Sequence, residues 1–207
     1  MRKMTNDKSG SIFKFQLEHD KGYAYAEILA YPDCGDNEFM ARVFTLIDFE
    51  LDTKRSIEEI TQSGVYLGPL VINKFPSVKG KTPWNYIGRN PDSDFELTPV
   101  KNHNMMRLHD DWSLLGPWQL FRGYGFDVSH ELLDYEDVRH YETDILTHKD
   151  AVPTKVTMRQ IIDKGERLSE YYDFDELGNR NLLVQVVNTY YPKQVAQGVL
   201  SEVLKAR

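Results

Sequence analysis

Glu136, His140 and Asp144 recur at every fourth position, and no other group in the chain has residue types and spacing so suited to chemistry. On a helix, that spacing lines a carboxylate, an imidazole and a second carboxylate along one face. Such a face could offer metal ligands or an acid–base pair. A di-iron carboxylate centre needs Glu-x-x-His on each of two partner helices, and here only Asp137 to His140 approximates it, once. A solvated helix face with a His–carboxylate pair accounts for the spacing equally well. His103, His109, Asp110 and Asp111 form a second cluster. With one cysteine and no close histidine pair at zinc-ligand spacing, that cluster does not make a structural zinc site.

The remaining motifs fall short of chemistry. Gly80-Lys81-Thr82 imitates the end of a phosphate-binding loop, but Phe75 stands where the motif needs its first glycine, and Pro76 removes a backbone donor. Gly123-Tyr124-Gly125 is a fragment of a dinucleotide fingerprint without the following glycine. No Gly-x-Ser-x-Gly elbow occurs. Among 32 acidic residues, paired carboxylates arise by chance. Asp33 and Asp36 flank Cys34, and their charge should raise the thiol pKa, so it reads as a passive loop residue. No catalytic residue, metal or cofactor is therefore expected. An enzyme with dispersed active-site residues is the rival reading, and it would use His109, Asp110 or His140.

Two acidic runs carry interleaved rings. One is Glu131, Asp134, Glu136 and Asp137 with Tyr135; the other is Asp173, Asp175 and Glu176 with Tyr171, Tyr172 and Phe174. Tyrosine beside carboxylate suits the gripping of a basic protein, because the ring supplies rigid contact area and the charge steers the encounter. An ordinary solvated surface is the plainer alternative. Lys and Arg total 25 against 32 Asp and Glu, a net charge of -7. This is opposite to the balance that phosphate binding needs, and it argues against nucleic acid. The aromatic stretch 112–126 has few cations beside it, so it reads as core rather than a base-stacking platform. A small-ligand or nucleic-acid-binding β-module remains a further alternative. The lone cysteine fits a reducing cytoplasm. Arg2 and Lys3 precede no apolar run, and no stretch approaches the roughly 20 apolar residues of a membrane span. A cytoplasmic protein without membrane contact is expected.

The elements that would position these groups begin with a hairpin. Phe13, Phe15 and Leu17 alternate with Lys14 and Gln16, and Ala24, Ala26 and Ile28 alternate with Tyr23, Tyr25 and Glu27. Residues 18–22 form the reversal, with Gly22 able to take positive φ. The hairpin reads as having one apolar face. Residues 38–49 are apolar on both faces and suit a central strand. Ser56 and Glu59 make a capping box. Residues 65–75, broken by Gly68-Pro69, read as an edge strand, a bulge or a strand start. Short strands follow at 84–88 and 118–122, with Asn90–Asp94 as the candidate boundary between them. Residues 135–143 have helical character, and Pro153-Thr154 could start another helix. Residues 182–190 suit either a helix or a strand. Pro192 opens a last helix in which Val195, Val199, Leu200, Val203 and Leu204 form the stripe.

Gly10, Ile12, Phe13, Phe15 and Leu17, then Gly22, Tyr23, Tyr25, Ala26, Ile28 and Leu29, resemble the opening motif of the immunity protein 26 family. Gly68, Pro69, Leu70, Pro76, Gly80, Trp84, Ile87 and Gly88 continue the resemblance, which covers residues 10–90. These are small proteins encoded beside bacterial polymorphic toxins. The resemblance implies an inhibitor that binds a cognate toxin and covers its active site; the acidic composition suits a basic partner, with an aid to solubility as the plainer reading of that charge. It names no contact residue; the two acidic runs are the candidates from the residues themselves. The expected fold is α+β. A strongly bent or barrel-like antiparallel sheet forms the N-terminal half, and helices, including a closing amphipathic one, form the C-terminal half. One domain over 1–207 is expected, divisible into 1–90 and 91–207.

Overall fold

A computed structural model describes residues 9–29, 39–93, 100–103, 118–121, 133–141 and 147–205. The fold is α+β, with strands concentrated in the N-terminal half and helices in the C-terminal half. Two compact units divide the chain. The first is residues 1–96 with 145–156, and the second is residues 97–144 with 157–207.

The first unit is built on an antiparallel sheet of β1 (Ser11–Gln16), β2 (Tyr23–Leu29), β3 (Phe39–Asp48), β4 (Val65–Ile72) and β5 (Trp84–Arg89). Its order is β4-β3-β2-β1-β5. The sheet is open. The chain after β4 crosses to the far side of β1, so β4 and β5 become opposite edges and the pairing that would close a barrel does not form. The Gly68-Pro69 strand therefore takes the edge position that proline tolerates. Thr147 adds one parallel bridge to that edge at Ile72.

The β1–β2 reversal departs from simple expectation. Gly22 has φ 103°, and a Cβ there would lie 2.5 Å from the Asp48 carbonyl oxygen, so only glycine fits. His19 and Asp20 also have positive φ, as a type I′ turn requires at both central positions, and Lys21 N–H donates to the Glu18 carbonyl.

The hairpin buries both faces. On one, Phe13 meets Phe75, Trp84 and Tyr86 edge-on, while Phe15 stacks on Trp84 at 4.3 Å between ring centroids. On the other, Ile12, Tyr25 and Phe44 pack with Ile60 of α1 (Ile57–Gln62). The capping box holds α1 in place: Glu59 N–H donates to the Ser56 hydroxyl, and Ser56 N–H donates to the Glu59 carboxylate.

In the second unit, β6 (Val100–His103) pairs with β7 (Trp118–Phe121). The helices are α2 (Tyr135–Val138), α3 (Val152–Asp163), α4 (Leu177–Tyr190) and α5 (Lys193–Lys205), and the boundary between units falls inside α3. Met158, Ile161, Leu183, Val187, Ala196 and Leu200 belong to its core. The segment that suited either helix or strand is helical in α4. Residues 183–189 are all buried, and that packing outweighs the β preference of its valines. In the last helix Leu200 and Val203 of the expected stripe are buried and Val199 packs half-buried on the core, while Val195 is exposed and Ala196 faces inward beside them; the Leu204 side chain lies outside the described residues. Helix α2 ends at Val138, shorter than the expected 135–143. Among the described residues, no helix is long and apolar enough to cross a membrane.

Candidate functional site

Lys14 lies mid-strand in β1 and pairs with Tyr25 on one side and Asn85 on the other. Sequence alternation assigned it to a polar face, but it is 2% exposed. The overlooked signal is local: Ile12 and Tyr25 share its face, so that face is core. A buried ammonium must find acceptors. Lys14 Nζ donates to the carbonyl oxygens of Glu50, Leu51 and Thr53 at 2.9, 2.8 and 3.1 Å. These three bonds use all three donors of the ammonium. The Tyr23 and Tyr25 rings flank it at 5.3 and 5.4 Å, within cation–π range.

Asp48 completes the cluster. It ends β3 opposite Tyr23 and lies 3.9 Å from Lys14 Nζ. The Tyr25 hydroxyl donates to its Oδ2 at 2.6 Å, and Arg55 donates to Oδ1 from Nη2 at 2.8 Å and from Nε at 3.2 Å. Arg55 also reaches Glu59 of α1 at 3.7 Å. Burial pulls the Lys14 pKa down, against the attraction of Asp48. Burial and the bond to Asp48 push the Tyr25 hydroxyl up. Burial alone would raise Asp48, but the hydrogen bonds from Arg55 and Tyr25 outweigh it and hold the carboxyl below its usual range.

The pH consequence follows from the sign of the Asp48 shift. A carboxyl depressed in the folded state stabilises the fold above its unfolded value, and that contribution disappears as pH falls through the folded value. Stability should therefore drop with acidification below about pH 4, near the unperturbed aspartate value. Asp48→Asn should be less stable at neutrality and show a shallower fall, measured as urea midpoints from pH 7 to pH 2. Parallel curves would remove Asp48 from the acid limb.

With every donor of Lys14 engaged, the cluster is suited to holding a loop rather than to turning over a substrate. Three converging carbonyls fix the backbone of residues 50–53 and commit it inward, so the side chains of that turn stand outward. Phe49 is 76% exposed and Leu51 50% exposed. The same sheet face carries a second buried ion pair. Glu27, fully buried, accepts from Arg42 Nε at 2.8 Å and from Asn90 Nδ2 at 3.2 Å.

The phosphate-loop mimic is closed by the protein itself. Asp150 Oδ1 accepts from Thr82 N–H at 3.3 Å and from Lys149 Nζ at 2.6 Å, and Lys149 also donates to the Thr82 carbonyl. A Cβ on Gly80 would come 2.9 Å from Lys149 Nζ. An internal carboxylate and ammonium thus occupy the Gly80–Thr82 turn. Burial would raise Asp150, yet the bond from Lys149 holds its carboxyl low.

The other sequence candidates are dispersed. Because α2 stops at Val138, Glu136 and His140 do not share a helix face. Glu136 pairs with Arg139 at 2.9 Å and accepts from Lys193 N–H, while His140 lies against Tyr141. Asp144, Cys34, His109, Asp110, Asp111 and Glu131 lie outside the described residues, and so do the side chains of His103 and Tyr135. Asp134 precedes α2, and it is exposed, as is Asp137.

In the second run, the rings and carboxylates separate. Tyr172 and Phe174 are buried in the core, so they offer no open ring to a partner. The half-buried Tyr171 donates to Glu166 at 2.6 Å. Asp173, Asp175 and Glu176 alternate outward, with Asp175 N–H donating to Asp173 Oδ1. No protein-family model, curated protein or solved structure matches this chain.

Proposed function

We propose that this protein is an immunity protein that binds a cognate bacterial toxin and neutralises it by covering its active site or substrate groove. The observation that carries the reading is the alternation from Tyr172 to Asp175, followed by exposed Glu176. Two rings anchored in a core hold three carboxylates outward on a fixed backbone. A preorganised acidic surface accelerates encounter with a basic protein and loses little freedom on docking. The resemblance of residues 10–90 to immunity proteins supports the same reading, and the net charge of -7 suits a basic toxin. Inhibition by occlusion needs no catalytic group on the inhibitor.

Co-expression of the full chain with the toxin domain encoded by the neighbouring reading frame tests this directly. Cells should survive, and the two proteins should co-purify. Asp175→Lys with Glu176→Lys should slow association by about tenfold or more at low salt, with a smaller effect at high salt. Asp173 is left in place because its side chain caps the turn. Death of cells in which both proteins are soluble and the toxin is active would overturn the reading.

A further inference from the structure

The sheet end that carries the Lys14 cluster displays a second surface, remote in sequence from the acidic runs. We propose that the loop Phe49–Thr53 is a docking element that inserts Phe49 and Leu51 into an apolar pocket on a basic protein partner. This deepens the inhibitor reading and rests on it.

Three observations on the first unit support the assignment. First, two large apolar side chains stand exposed on one short turn, Phe49 at 76% and Leu51 at 50%. Single exposed apolar residues are ordinary, but here two lie within three residues of one another on one turn. Second, this turn is fixed. Lys14 binds the carbonyls of Glu50, Leu51 and Thr53, and Arg55 anchors the following chain to Asp48. A fixed turn displaying rigid anchors is what a low-entropy contact requires, since little freedom is left to lose on binding.

Third, the surroundings select the partner. Glu50 and Asp52 are exposed and flank Leu51 in the chain. The β1–β2 turn lies alongside, because Gly22 abuts the Asp48 carbonyl, and it brings exposed Asp20 to the same end of the sheet. Lys54 is exposed, Arg55 is about a third exposed but paired with Asp48, and Lys21 lies on the turn, half-buried. Glu18, partly buried, accepts from Thr154 and adds a further carboxylate to that turn. Carboxylates outnumber these lysines. Apolar anchors with exposed carboxylates beside them in the chain and on the adjoining turn fit an apolar pocket rimmed by lysine or arginine.

The test is the affinity of the full chain for a catalytically inactive form of the neighbouring toxin domain, measured by calorimetry. Phe49→Ser with Leu51→Ser should weaken binding by roughly 30-fold or more, the loss expected of central anchors. Thermal unfolding of the free chain should change little, because Phe49 is mostly exposed and Leu51 half exposed. Glu50→Lys with Asp52→Lys should slow association by about tenfold and flatten its salt dependence. If the parent chain binds and the serine variant binds equally well, the docking assignment is overturned while the inhibitor reading stands. If the parent chain does not bind, both fall. A dimer of the free chain that the serine substitutions dissolve would give the loop to a second copy and overturn the basic-partner assignment.

Discussion

Lys14→Met is expected to destabilise the first unit by about 3–5 kcal/mol, the usual cost of removing one member of a buried charged cluster. Methionine fills a similar volume, so the loss comes from hydrogen bonding rather than from a cavity. The carbonyls of Glu50, Leu51 and Thr53 would lose their common donor. Each acceptor left buried and unpaired costs about 1–3 kcal/mol, and the turn would relax outward to recover water. Asp48 would keep Tyr25 and Arg55, so it stays ionised while losing a nearby cation. Urea unfolding followed by amide exchange would read both effects. The midpoint should fall, and amides of residues 49–53 should lose protection before those of β2. A Lys14→Met protein as stable as its parent, with the turn still protected, would show that the ammonium does not organise the loop.

Trp84→Ala is the second large effect, expected to cost about 3–5 kcal/mol. The indole is fully buried on edge strand β5, stacked on Phe15 and edge-on to Phe13. Truncation would remove the cover from the aromatic face of β1 and leave a void too large for the neighbouring rings to fill. Trp84→Phe separates packing from polarity. Among the described residues, the buried indole Nε1 has no hydrogen-bond partner. Phenylalanine would forfeit ring area but also delete an unpaired donor worth about 1–3 kcal/mol. It should therefore be much milder than alanine in the same urea titration. Equal losses for the two variants would show that buried ring area does not set the cost at this position.

Much of the first unit is legible from residue order. The hairpin, its reversal at Gly22, the capping box of Ser56 and Glu59, and the restriction of Gly68-Pro69 to an edge, a bulge or a strand start each depend on groups within a few residues of one another. Neighbouring residues are enough to express such constraints. The hidden part has a common cause as well. Lys14 alternates with Phe13 and Phe15 as an exposed lysine would, and nothing adjacent in the chain announces that residues 50, 51 and 53 supply its acceptors. The same holds for Asp150 closing the turn at Thr82 from 68 positions away. It holds for Tyr172 and Phe174 too, whose rings look like partner contacts until the core claims them.

By itself, then, the order of residues determined local geometry: strand alternation, turn and cap chemistry, the α+β class, and a negative net charge. Tertiary structure alone decided that the sheet stays open and which charges are buried. It also decided that Phe49 and Leu51 stand on a pinned turn. The physical reason is range. Caps, turns and periodicity act between near neighbours, whereas desolvation of a side chain depends on everything packed around it. A lysine's environment is set by carbonyls some 37 residues away, and only the folded chain brings them together.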